Sequence, residues 1–213
     1  MQIAIVDLGV GNLRSVEQAM LTVAPNAKVT VSSDPAVVDA ADKVVLPGQG
    51  AVGTWFAQLE QRNLRASINR ARVDRPLLGI CVGMQALFDY CAEDGGHKGL
   101  AWFDGQVEHF SKFHARDTKP ALKIPQMGWN TVSQTQDHPL WFGIPANAHF
   151  YFVHSYCANS PVPDIVFGSA DYGHEFIAAV GAKNVFATQF HPEKSHNDGL
   201  QLLKNFAQWN GGI

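Results

Sequence analysis

Leu77-Leu78-Gly79-Ile80-Cys81-Val82-Gly83 is an apolar run that ends on a cysteine with a glycine two positions to either side. An apolar stretch with no polar alternation reads as a strand buried on both faces, as in a parallel sheet. A helix is expected from about Val82 to Tyr90, which puts Cys81 on a strand-to-helix turn. That is the nucleophile-elbow pattern G-x-S-x-G with cysteine in the serine place. Small residues at 79 and 83 let the backbone bend tightly enough to push the side chain forward. A helix N-terminus behind Cys81 favours an anionic sulfur, and the free N–H of Val82 faces where an oxyanion would form.

The same alternation surrounds this elbow. Residues 2–6 form a short apolar strand, followed by a Gly-rich turn and a helix marked by Leu13, Val16, Met20 and Val23. Strands are expected at 27–31 and 43–46, with a short helix at 35–40 between them. A longer helix is expected from about Thr54 to Val73. The fold class is therefore α/β, with a mostly parallel central sheet, flanking helices and right-handed crossovers. Beyond residue 104 short strand-like pieces dominate (106–109, 130–133, 149–153, 164–169, 175–179, 184–190), which predicts antiparallel strand additions in the C-terminal half. A last helix runs from about His196 to Trp209, with Ser195 as its expected N-cap. The stretches 111–125 and 158–164 read as surface loops. One domain spanning 1–213 is the economical organisation.

Composition excludes several function classes. Among 213 residues, 46% are hydrophobic and 16% charged, as in ordinary soluble domains. The formal net charge of −3, with no basic run, leaves no phosphate-neutralising surface for nucleic acid. No apolar run approaches the roughly 18 residues of a membrane span. Three cysteines, Cys81, Cys91 and Cys157, form no close pair, which points to a reducing, cytoplasmic setting. The N-terminus has no basic segment of the signal-peptide kind.

A cysteine nucleophile needs a base and a group that orients the base. Gln189-Phe190-His191-Pro192-Glu193 ends a strand and supplies both: His191 to move the proton, Glu193 to hold the imidazole. Cys91 and Cys157 have no such context and read as inert. The histidine pairs 109/114, 149/154 and 191/196 are five apart, not the four of a helical zinc pair, so no metal site is expected. Asp7-Leu8-Gly9-Val10-Gly11-Asn12 begins like a dinucleotide fingerprint, but Arg14 stands where its third glycine belongs. The Pro47-Gly48-Gln49-Gly50 loop ends a parallel strand, where α/β sheets bind ligands, and Gln49 or Gly50 is available as a second oxyanion donor.

Together, GICVGMQ at 79–85, HPEKS at 191–195 and PGQG at 47–50 resemble class I, triad-type glutamine amidotransferases. DLGVGNLRS at 7–15, MGWN at 127–130 and YFVHSY at 151–156 look, more closely, like the glutaminase subunits of imidazole glycerol phosphate synthases. The resemblance covers nearly the whole chain. It implies that Cys81 attacks the side-chain amide of glutamine and that His191 protonates the departing ammonia. It further implies oxyanion contacts from Gln49, Gly50 and Val82, and a hold on the amino-acid end of glutamine by Gln85, Glu93, Ser155 and Tyr156. Asn12, Trp129, Tyr151 and Lys194 would face a separate (β/α)₈-barrel cyclase subunit in a heterodimer, with no cofactor. Two positions depart from the family pattern: Gln49, commonly apolar there, and Ser15, often asparagine.

Three other readings stay open on the sequence. A different amidotransferase is one possible destination for the ammonia. An α/β-hydrolase-type thiol hydrolase also uses an elbow, but its acid precedes the histidine, whereas Glu193 follows His191. A non-catalytic scaffold would have no need of an intact Cys81, His191 and Glu193.

Overall fold

A computed structural model describes residues 1–113 and 122–212. His114 and the middle of the expected 111–125 loop lie outside the described residues. In chain order the elements are β1 (Gln2–Val6), α1 (Leu13–Val23), β2 (Lys28–Ser32), α2 (Pro35–Ala40), β3 (Lys43–Gly48), α3 (Val52–Gln61), α4 (Arg65–Asp74), β4 (Leu77–Cys81) and α5 (Val82–Gln85). There follow β5 (Phe88–Cys91), β6 (His97–Lys98), β7 (Phe103–His109), β8 (Gln126–Thr131), β9 (Ser133–Gln134), β10 (His149–His154) and β11 (Tyr156–Asn159). The chain closes with β12 (Val166–Asp171), β13 (Glu175–Ala182), β14 (Val185–Thr188) and α6 (His196–Gln208).

The main sheet runs β2-β1-β3-β4-β14-β13-β11-β7-β5-β6, with β12 attached to β13 and β9 to β12. From β2 to β14 every neighbouring pair is parallel. Then β13 reverses the direction, and β11 and β12 pair antiparallel around it. This is the expected parallel core with antiparallel additions. The strands β3, β4 and β14 are buried along their whole length, which is why their sequences are continuous apolar runs rather than alternating ones. Helix α1 packs on α6 and α2 on α4. A separate antiparallel ribbon, β8 with β10, stands beside the main sheet. No helix among the described residues is long and apolar enough to cross a membrane.

The structure corrects four expectations. The helix read from Thr54 to Val73 is two helices, broken at Asn63, whose φ of +56° is left-handed. Leu64 N–H bonds Leu59 O and Asn63 N–H bonds Glu60 O, the paired cap that closes a helix when the next residue is left-handed. The helix read from Val82 to Tyr90 stops at Gln85. Phe88-Asp89-Tyr90-Cys91 instead pairs with β7, so sheet partners outweigh local helical periodicity. The 158–164 loop starts two residues late, because Tyr156–Asn159 is a strand bonded to β7 and β13 with Cys157 and Ala158 buried. Ser195 precedes α6 but makes no side-chain cap. Its hydroxyl donates to His191 O at 2.6 Å and accepts from Tyr151 N–H at 3.0 Å.

Candidate active site

The register of three parallel strands assembles the site. Gly48 of β3 lies opposite Cys81, and Thr188 of β14 lies opposite Ile80. The loop after β3 therefore flanks the cysteine on one side, and the segment Gln189–His191 flanks it on the other. All three strands end at the same edge, the carboxyl end, where α/β sheets place their chemistry.

Cys81 adopts φ 56°, ψ −111°, a strained conformation for a residue with a side chain. The tightness of the elbow explains its glycines. A Cβ at Gly83 would sit 1.9 Å from Leu46 O, and one at Gly79 would sit 2.9 Å from Gly83 O. With only four residues, α5 offers N–H groups near the sulfur but a small share of a full helix dipole.

His191 supplies the compensating charge. Its Nδ1 lies 2.8 Å from Glu193 Oε1, and both side chains are almost fully buried. Burial works against a charged imidazole here. The Cys81 thiolate, followed by Glu193, more than offsets that and pushes His191 up to about 10. Nε2 makes no hydrogen bond of regular geometry, so its link to the sulfur is primarily one of charge. The backbone is held as well, by His191 N–H to Tyr151 O at 2.9 Å.

A cavity of about 450 Å³ opens in front of the sulfur, lined by Gln49, Gly50, Cys81, Val82, Gln85, Glu93, Ser155, Tyr156, His191 and Lys194, among others. The expected oxyanion and substrate positions thus converge on one space. Glu193 stands behind His191, toward Asn12 and Gln49. Glu93 is raised by its partial burial, and one of its oxygens accepts Val52 N–H at 2.8 Å. Asn12 caps α1. Trp129 and Tyr151 do not line the cavity. They stack edge to face on the ribbon with ring centres 6.1 Å apart, and Lys194 Nζ sits 5.9 Å from the Tyr151 ring. A larger hollow of about 750 Å³ beside Phe113, Ser160 and Ile177 contains no cysteine, so size alone does not choose the site.

Sequence reasoning gave no role to Gln189, His154 or Pro125. Gln189 Nε2 lies 3.6 Å from Cys81 Sγ, while His154 and Pro125 line the cavity. Gln189 directly follows β14, and its nearness to Cys81 depends on the pairing of β14 with β4, which the sequence does not display. Among the described residues no three His, Cys, Asp or Glu side chains converge as a metal ion would require.

Residues 4–209 match the family model described as glutamine amidotransferase class-I. The imidazole glycerol phosphate synthase subunit HisH of Neisseria gonorrhoeae is 49% identical, over 98% of this chain and 100% of the relative. The protein of that name from Pseudomonas putida is 48% identical over 98% of both chains. Among solved structures, a putative GMP synthase subunit from Thermoplasma acidophilum superposes with a TM-score of 0.70 at 21% identity, covering 98% of this chain and 92% of that one. A structure described as a glutamine amidotransferase gives 0.69 at 15% identity, covering 96% and 98%. At such identities the structural likeness speaks for the fold alone.

Proposed function

This chain belongs to the class I glutamine amidotransferase family, and from that premise we propose that Cys81, His191 and Glu193 are its catalytic triad. The chain is the glutamine amidotransferase subunit of an imidazole glycerol phosphate synthase and acts in histidine biosynthesis. The observation that carries the triad assignment is a strained cysteine paired by charge with a buried histidine whose far nitrogen is held by a carboxylate.

The chemistry follows from that arrangement. The Cys81 thiolate adds to the side-chain amide carbon of glutamine, and the carbonyl oxygen takes the negative charge. Backbone N–H groups at Val82 and at Gln49 or Gly50 receive it. Collapse of the adduct breaks the C–N bond, and His191 gives its Nε2 proton to the leaving ammonia. The product is a γ-glutamyl thioester on Cys81. His191, now neutral, takes a proton from water as the water attacks, and the second collapse releases glutamate and the thiolate. Glu193 keeps Nδ1 protonated, so that Nε2 is the nitrogen that exchanges protons. At the other end of the substrate, the Glu93 carboxylate and the Gln85 Oε1 accept from the α-ammonium, and Ser155 and Tyr156 complete the hold on the amino-acid end.

The ammonia passes to a separate cyclase subunit. We assign that partner a (β/α)₈ barrel, a heterodimeric assembly and a cytoplasmic location, with Asn12, Trp129, Tyr151 and Lys194 at the contact and 1–213 acting as one domain. The test is glutamate release by wild type and by Cys81→Ala, with and without the cyclase and its ribotide substrate. Activity that rises with the cyclase and vanishes in Cys81→Ala is the expected result. A folded wild-type chain that releases no glutamate under any of these conditions overturns the reading.

A further inference from the structure

We infer that Gln189 is a working part of the nucleophile, donating a side-chain N–H to the Cys81 sulfur in an orientation fixed by Gln85. The inference rests on the reading of Cys81 as nucleophile and adds a residue to it.

Three contacts carry the argument. Gln189 is fully buried, and its Nε2 lies 3.6 Å from Cys81 Sγ, the distance of an N–H to sulfur hydrogen bond. Its Oε1 accepts from Gln85 Nε2 at 3.0 Å. The second N–H of Gln85 goes to the carbonyl of Tyr156 at 3.1 Å. A backbone carbonyl can only accept, so Tyr156 O fixes which end of the Gln85 amide points inward. That end is a donor, so Gln189 must answer it with oxygen, and its own NH₂ then faces the sulfur. Reversing the Gln189 amide would set two donors against each other and aim a carbonyl oxygen at the thiolate. The chain Tyr156 O, Gln85, Gln189, Cys81 has one consistent polarity, and it ends with a donor on the sulfur.

The strand register brings the two together. Thr188, the last residue of β14, lies opposite Ile80, and Gln189 follows Thr188 as Cys81 follows Ile80. A buried donor aimed at a sulfur favours its anionic form, and the thioester sulfur, being neutral, benefits less. Gln189 therefore acts on the resting thiolate and fixes its direction of approach to the substrate carbon. The same geometry gives Gln85 a second duty as a positioning residue. Both of its N–H groups have protein partners, which leaves its Oε1 for glutamine.

The test uses the complete chain and needs no glutamine. The rate of alkylation of Cys81 by iodoacetamide is followed against pH by peptide mass in wild type, Gln189→Met and Gln85→Leu. Met nearly fills the Gln189 space but cannot donate. Its pH midpoint should rise by about one unit, a roughly tenfold loss of thiolate on the acid side, and Gln85→Leu should shift the same way by less. A merely structural role would lower thermal stability without moving the midpoint. In wild type, the ¹⁵N–¹H signal of the Gln189 side-chain amide should shift on alkylation of Cys81, a readout that does not depend on any variant folding. An amide signal indifferent to alkylation, or a folded Gln189→Met with an unmoved midpoint, overturns the inference. Loss of the glutaminase reading would look different: no glutamate release, with the midpoint shift intact.

Discussion

The backbone N–H of Asn12 donates to the side-chain oxygen of Gln49 at 3.0 Å, tying the loop after β1 to the loop after β3. Asn12 also donates its side-chain NH₂ to Ser15 Oγ at 2.7 Å. The two positions that depart from the family pattern, 15 and 49, thus meet at one residue. Gln49 makes the tie with its side chain, while the oxyanion contact proposed for this loop comes from backbone. Gln49→Val removes one neutral hydrogen bond, worth about 1 kcal/mol. Amide exchange at Asn12 should then rise roughly fivefold, as read by hydrogen–deuterium exchange of the free chain. Unchanged protection at Asn12 would show that the loop is held by other means.

Glu193→Gln tests the orienting carboxylate. The Nδ1 to Oε1 contact of 2.8 Å is buried, so no water can replace it. An amide in that place no longer supports the imidazolium and allows the wrong tautomer. Turnover of glutamine should fall by roughly 10²–10⁴, measured as kcat/KM with the cyclase present. A loss below tenfold would mean that His191 is oriented by its backbone bond to Tyr151 and by packing instead.

The elbow was legible because its geometry is local. Gly79, Cys81 and Gly83 stand within five residues, and the crowding that requires them lies in the neighbouring backbone of Leu46 and Gly83. His191 and Glu193 were legible for the same reason, being two residues apart. What could not be read was decided by partners distant in sequence. The end of α5 depends on β7, fifteen or more residues downstream. The contact of Gln189 with Cys81 spans 108 positions and exists only once β14 takes its register on β4. The break at Asn63 is the exception. Its signal, an asparagine inside a helical pattern, is a recognised left-handed cap residue and was present in the sequence.

Acid should weaken the fold through two buried histidines. Burial lowers His138 to about 4, and it sits among the rings of Phe167, Phe186 and Trp209. Burial is also the main cause that brings His154 to about 4. Both are neutral when folded, while the unfolded chain protonates them near the ordinary 6.5. Between those values the unfolded state binds more protons, so stability falls as the pH drops from about 6.5 to 4, by at most ~2.7 kcal/mol per pH unit for the pair. His191 does not offset this. Its shift is upward, so its contribution is fully present below 6.5 and fades only at higher pH. His138→Asn keeps an acceptor for Leu140 N–H and cannot titrate, so it should roughly halve the acid slope of the urea midpoint. An unaltered slope would assign the effect to other groups.

The ribbon offers the last test. Trp129 is 46% exposed and Met127 66% exposed, and as alternate residues of β8 they point to the same side. Trp129 lies flat on His196, with ring centres 4.9 Å apart and planes within 3°, which fixes its pose without burying it. A large aromatic held rigid at the surface has already lost most of the entropy that binding would cost. Through Tyr151, whose carbonyl accepts His191 N–H and whose N–H donates to Ser195, the ribbon is bonded to the backbone beside the proposed base. Trp129→Ala should weaken cyclase binding by about 2 kcal/mol, roughly thirtyfold in Kd, measured by titration of the cyclase into this chain. Because the side chain is half exposed, the stability of the free chain should change by no more than about 0.5 kcal/mol. A Kd unchanged in Trp129→Ala would move the contact off this ribbon. Weaker binding together with a large loss of stability would instead give Trp129 a packing role.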